Sequence, residues 1–171
     1  MSYYVRKITL SKFPREPQDN TTIEDINADA VADIRTFRNE LSIWEIPTNS
    51  EEDIEEAVLA LVTSAKQTTF ERIDFVIIPE EELEKYGLEL GEQPGDTAVE
   101  DLKETHKNIT NLTFKSLRDI LTIIVSITMG DKQIRKTKRE VEEIVKKNVD
   151  RIDLQNFESD KVTQKIMSFS Q

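Results

Sequence analysis

Few side chains in this sequence could do chemistry, and the most suggestive are three aspartates spaced four residues apart. Asp25, Asp29 and Asp33 would lie on one face of an α-helix, and carboxylate oxygens are ligands for Mg²⁺ and Ca²⁺. Like charges at this spacing repel one another, however, and the glycine pattern of an EF-hand loop is absent. We therefore interpret the row as a solvated acidic face and expect neither a metal nor a cofactor.

The sequence also offers few nucleophiles and bases of the kinds that enzymes use. His106 is the only histidine and the chain has no cysteine, which excludes thiol chemistry, disulfides and histidine-rich metal sites. No GxGxxG, GxxxxGK[ST], GxSxG or HExxH motif is present. The sequence therefore favours a protein that is not an enzyme. A carboxylate-based, metal-dependent enzyme is kept as an alternative, centred on the aspartate row or on Asp74, which interrupts an apolar strand.

A basic cluster is the second feature that could have a binding role. Five bases fall within eight residues: Lys132, Arg135, Lys136, Lys138 and Arg139. Such a cluster can contact the phosphates of a nucleic acid, although no aromatic residue is interleaved for base stacking. A second group of bases lies near the N-terminus and would reinforce the first if the two met in space: Arg6, Lys7, Lys12 and Arg15. An accessory nucleic-acid-binding protein that uses residues 132–147 is therefore a further alternative.

Charge is distributed unevenly along the chain, and this is the strongest indication of function. Over residues 19–101 there are 23 acids against 5 bases, a net charge of −18, whereas the whole chain carries −11. Uneven charge bears on partners more than on fold. The leading hypothesis is a non-enzymatic interaction module that binds and masks a protein with a basic surface, as antitoxins, immunity proteins and nucleic-acid mimics do.

Partner binding of this kind needs an acidic rim and an apolar anchor. Asp25, Asp29 and Asp33 would contribute to the rim, and Trp44 is the candidate anchor if it is exposed; the alternative is a core tryptophan in a sheet. Opposite charges on the two halves also permit self-association. The longest apolar-rich stretch, residues 120–129, is too short to span a bilayer, so we expect no membrane partner and a cytoplasmic protein of a microbe or a virus.

The elements that position these residues indicate an α+β, or small α/β, fold. Strand patterns occur over residues 3–10, 41–46 and 73–78, and Ser50 followed by three acids predicts the start of a helix between the last two. This order predicts a βαβ unit with strands 41–46 and 73–78 parallel, and strand 3–10 at one edge. We expect about three strands in the N-terminal part, residues 1–86.

The second half of the chain is predicted to be helical and to pack on that sheet. Glycines and a proline in residues 87–96 indicate a loop or linker, after which residues 97–171 complete what we expect to be one continuous domain. Helical spacing predicts four helices, with a strand over residues 121–129 as an alternative because β-branched residues are frequent there. The predicted helices cover residues 97–108, 113–128, 132–149 and 160–169, and the first would carry His106 on its apolar face.

Overall fold

The computed structural model describes residues 1–13, 26–130 and 134–169. Six strands of the described residues form one antiparallel sheet in the order β4-β5-β2-β1-β3-β6. The strands are β1 (Tyr3–Ile8), β2 (Leu41–Ile46), β3 (Ile73–Pro79), β4 (Leu90–Glu92), β5 (His106–Ile109) and β6 (Ile134–Lys136). The α-helices are α1 (Glu51–Val62), α2 (Glu80–Lys85), α3 (Phe114–Met129), α4 (Lys138–Lys147) and α5 (Asp160–Met167).

The α+β class is confirmed, but the sheet is larger than predicted and its centre differs. β1 lies between β2 and β3 and is antiparallel to both, so β2 and β3 run in the same direction without being neighbours. The prediction that β1 is an edge strand beside a βαβ pair was therefore wrong. Tyr4, Val5 and Ile8 are all buried. Val5 packs on one face of the sheet and Tyr4 and Ile8 pack on the other, as expected for a central strand.

Helices cover both faces of the sheet and enclose two apolar clusters. On one face, Val5, Trp44 and Phe75 pack against residues of α1, α4 and α5. On the other, Tyr4 and Val76 pack against α2, α3 and a 3₁₀-helix that spans Ala28–Ile34. Both faces are buried because side chains of successive strand residues alternate between them.

Capping side chains mark where α1 and α3 begin. The Ser50 hydroxyl accepts a hydrogen bond from the Asp53 amide at 3.2 Å and starts α1, as predicted. Thr113 forms a reciprocal capping box with Ser116 and starts α3, which is helical rather than a strand. The predicted C-terminal helix is α5. No described helix is long and apolar enough to cross a membrane.

Three predicted elements take a different form. Residues 97–108 are not an α-helix but a 3₁₀-helix, Glu100–Thr105, followed by β5. Residues 134–149 divide into β6 and α4, because the side chain of Thr137 caps a new helix through Glu140. Residues 87–96 contain β4, which pairs with β5 and so extends the sheet at that edge. Pro14 and Pro17 predict a loop over residues 11–20, of which positions 14–20 lie outside the described residues.

Candidate functional site

A groove of about 580 Å³ opens beside β3, between α2 and α3. Four isoleucines form its aliphatic floor, whereas its other side chains apart from Pro79 are polar and include two carboxylates. The lining residues are Tyr3, Asn49, Ile77, Pro79, Glu81, Glu82, Ile123, Ser126, Ile127 and Ile134. We call this the α2–α3 groove.

Local sequence explains how the two walls of the groove arise. Ile123 and Ile127 are four residues apart and therefore project from the same side of α3. Pro79 ends β3 and is the N-cap of α2, so that Glu81 and Glu82 fall in the first helical turn, where the helix dipole favours negative charge. The groove consequently joins an aliphatic wall to an acidic one.

The acidic wall keeps part of its charge uncompensated. Glu82 forms an ion pair with Lys85 at 3.2 Å, whereas Glu81 is exposed and has no cationic partner among the described residues. Other carboxylates lie near this end of the sheet: burial, and then the negative charges of Glu45, Glu80 and Glu84, raise the pKa of Tyr4 to about 12. This end of the sheet is therefore a negative surface.

Such a groove has the size and the mixed polarity to bind a ligand. Ser126 contributes a hydroxyl to the lining, but His106 lies on β5, three strands away from β3. A serine nucleophile needs a base within hydrogen-bonding reach. The aliphatic floor can accept an apolar side chain, and the carboxylates can pair with a cation.

Trp44 and His106 form a packed pair in the core on adjacent strands. Trp44 is 5% exposed, so it does not meet the condition on which its role as a partner anchor depended. The Nδ1 atom of His106 lies 2.8 Å from the carbonyl oxygen of Gln93. Burial lowers the pKa of His106 and keeps its ring neutral near pH 7. His106 is thus a core residue of β5, and the prediction that it lies on a helix was wrong.

The aspartate row does not form on the described residues. Asp25 lies outside them, Asp29 is exposed, and Asp33 accepts hydrogen bonds from the Thr9 amide at 2.5 Å and from Lys12 at 2.9 Å. The segment is a 3₁₀-helix with three residues per turn, so a spacing of four does not share a face. Among the described residues no group of three potential metal ligands occurs.

The basic cluster is dispersed by its own strand and helix. Lys132 lies outside the described residues. Arg135 on β6 binds both oxygens of Asp74, at 2.5 and 3.2 Å, and Lys136 is 6% exposed and paired with Glu51. Alternation along the strand sends these two bases to opposite faces of the sheet. Asp74 is therefore engaged in an ion pair with Arg135, whereas the carboxylate-site alternative requires it to lie among other acids.

The remaining bases of the cluster also have acidic neighbours. Lys138 lies 3.4 Å from Glu71, and Arg139 lies 2.9 Å from Glu143. The N-terminal group is engaged as well, since Arg6 is half-buried and donates to the carbonyl oxygens of Ser42 and Asp33, and desolvation lowers its pKa to about 10. Arg15 lies outside the described residues. The described bases named here are thus engaged with acids or with backbone carbonyl oxygens.

Comparison with protein-family models, with curated proteins and with solved structures found no match to this chain. What the chain does must therefore be inferred from its own residues. The groove residues were missed by the sequence analysis, although the spacing of Ile123 and Ile127 was visible. Core-facing helices commonly have such a stripe, and nothing local shows that this one borders an open groove.

Proposed function

We propose that this chain is a non-enzymatic interaction module whose α2–α3 groove binds a basic segment of a partner protein. The observation that carries the proposal is the juxtaposition of Glu81 and Glu82 with the aliphatic floor formed by Ile123 and Ile127. Masking of the partner, in the manner of an antitoxin, immunity protein or inhibitor, and a cytoplasmic microbial setting belong to the same proposal.

Recognition would proceed in two stages. The strongly acidic residues 19–101 attract a basic partner over a distance that exceeds direct contact, which raises the association rate. An apolar side chain of the partner then fills the groove and supplies most of the affinity, as buried anchors do in protein interfaces. Exposed ion pairs at the rim add specificity more than binding energy. The preferred ligand therefore combines cationic and aliphatic residues.

A synthetic peptide titration tests this preference. The probe is an amphipathic peptide of leucine and lysine, labelled for fluorescence anisotropy, and the controls are a leucine–glutamate and a serine–lysine peptide of equal length. We expect binding of the leucine–lysine peptide alone, weakening as salt rises. Binding by all three peptides, or by none, contradicts the proposal.

Two variants locate the peptide in the groove. Ser126 is exposed and lines the groove, so Ser126→Phe should fill it without disturbing the core and weaken binding by about ten-fold or more. Glu81→Lys should weaken binding by about five-fold. Glu104→Lys makes the same charge change on an exposed residue of the 3₁₀-helix Glu100–Thr105 and is the matched control. Equal effects of Glu81→Lys and Glu104→Lys would show only a general charge effect and would reject the groove.

A further inference from the structure

A hydrogen-bonded loop with an exposed aromatic ring precedes β2. Phe37 is 74% exposed, and its backbone exchanges hydrogen bonds of 3.2 and 3.1 Å with Glu40. The two residues between them, Arg38 and Asn39, have φ values of 55° and 63°. Two successive residues in the left-handed region make a tight hairpin turn, a conformation that residues other than glycine adopt infrequently. We call residues 35–40 the Phe37 loop.

The rest of the fold holds this loop in place and leaves its cations free. The Leu112 amide donates to the Asn39 carbonyl at 3.0 Å, which ties the loop to the segment that begins α3. The Arg38 guanidinium lies 5.1 Å from the centre of the Phe37 ring. Among the described residues neither Arg35 nor Arg38 has an acidic partner. A preorganised aromatic side chain flanked by arginines is typical of a binding hot spot.

The Phe37 loop and the α2–α3 groove lie at opposite ends of the sheet. The loop leads into Leu41, the first residue of β2, whereas the groove residue Tyr3 lies opposite Ile46, the last. Six strand residues separate these ends by about 17 Å. The loop is also tied to the start of α3, whereas Ile127 lies near the end of that helix. The loop of one molecule therefore cannot enter its own groove.

We propose that the Phe37 loop of one copy docks into the α2–α3 groove of a second copy. The Phe37 ring would lie on the aliphatic floor, and Arg35 and Arg38 would face Glu81 and Glu82. The two surfaces are complementary in both polarity and charge, and the loop carries the cationic and apolar groups that the groove is suited to bind. This inference rests on the groove of the proposed function and adds a regulation to it, since a basic partner must displace the loop.

The geometry determines the kind of assembly. Loop and groove are different surfaces, so the contact is heterologous and each end of a dimer keeps one free surface for further growth or ring closure. One loop in one groove buries less area than a standard interface, and a net charge of −11 on each copy opposes association. We therefore expect weak, concentration-dependent association.

Sedimentation velocity on the full chain tests the contact. From about 10 µM to about 1 mM protein, in about 0.15 M salt, the average mass should rise with concentration. Phe37→Ser should weaken association about ten-fold or more, and Ser126→Phe should do the same from the groove side. Met167→Ser replaces a 53% exposed side chain of α5 and should associate like the parent chain.

A mixing experiment distinguishes a heterologous contact from other self-association. The Phe37→Ser chain keeps its groove and the Ser126→Phe chain keeps its loop, so an equimolar mixture should form dimers and nothing larger, while each variant alone stays monomeric. The exchange of charges in an Arg38→Glu and Glu81→Lys double variant should restore part of the association that either single change removes.

Failure of this inference is separable from failure of the proposed function. A parent chain that stays monomeric up to about 1 mM overturns the inference, and if it still binds the leucine–lysine peptide the proposed function stands. Association that survives both Phe37→Ser and Ser126→Phe also overturns it. If the leucine–lysine peptide dissociates the assemblies of the parent chain into monomers, both proposals are supported.

Discussion

The imidazole of His106 packs edge-on against the indole of Trp44, with ring centroids 5.1 Å apart and ring planes inclined by 71°. The two residues are direct cross-strand partners on β2 and β5. The backbone of Gly95 lies beside the Trp44 ring and the His106 Cβ, so close that a Cβ atom on Gly95 would come within 2.8 Å of the His106 Cβ. The only tryptophan and the only histidine of the chain are thus used to close the core where β2, β5 and the segment after β4 meet.

Burial of His106 makes the stability of the protein depend on pH. Its pKa is lowered in the folded state, mainly because burial disfavours the charged ring, although the hydrogen bond to Gln93 acts in the opposite direction. As pH falls below about 6.5, the unfolded chain takes up a proton that the folded chain does not, and stability is lost. The free energy of unfolding from urea titrations should decrease between about pH 7 and pH 5, with a slope of at most about 1.4 kcal/mol per pH unit from this residue.

The His106→Gln variant isolates that contribution. Glutamine can still donate to the Gln93 carbonyl but does not titrate, so the pH dependence of its stability over the same range should be flatter than that of the parent chain. Identical slopes for the two chains would show that His106 is not the responsible group.

Gly95→Ala should be destabilising by about 1–3 kcal/mol, since the added methyl group meets the rings of Trp44 and the Cβ of His106. Thermal unfolding followed by circular dichroism measures the loss, and tryptophan fluorescence should shift because Trp44 must move. Gly87→Asn is the matched control: Gly87 has a φ of 63° with nothing close to its Cβ position, and asparagine tolerates that conformation. A Gly95→Ala chain as stable as the control would contradict the close packing.

Thr63 and Thr97 form a buried hydroxyl pair that should show strong coupling. Their Oγ1 atoms lie 2.7 Å apart, and Thr63 also donates to the Leu59 carbonyl at 2.7 Å. Either Thr→Val change alone should cost about 1–3 kcal/mol, because Thr63→Val leaves the Thr97 hydroxyl without its buried acceptor and Thr97→Val removes the acceptor of the Val99 amide. The double variant should cost less than the sum of the two, since no orphaned hydroxyl remains. Additive losses in denaturant titrations would exclude the coupling.

The paired state of the basic cluster predicts little affinity for nucleic acid. Arg135 is committed to Asp74, and Arg139 to Glu143, so an electrophoretic mobility assay at low salt should show no shift of duplex DNA or single-stranded RNA. A double charge reversal, Arg135→Glu with Arg139→Glu, should leave that result unchanged. A salt-sensitive shift that the double reversal abolishes would instead establish the nucleic-acid alternative.

The sequence alone determined the elements whose signals are local. The capping side chain of Ser50 and the apolar spacing of α3 lie within a few residues of the structure they specify, so β1, β2, β3, α1, α3 and α5 were predictable. The uneven charge was visible for the same reason, since it requires only counting along the chain.

Tertiary structure decided the short strands and the surfaces that carry the proposals. β5 and β6 have four and three residues, and their hydrogen bonds come from distant partners; Asp74 and Arg135, which face each other across β3 and β6, are 61 positions apart. No local pattern specifies such a pairing, and none predicts that Trp44 is covered or Phe37 left exposed. Burial depends on what the remainder of the chain places over a side chain, and that is settled only when the whole sheet is assembled.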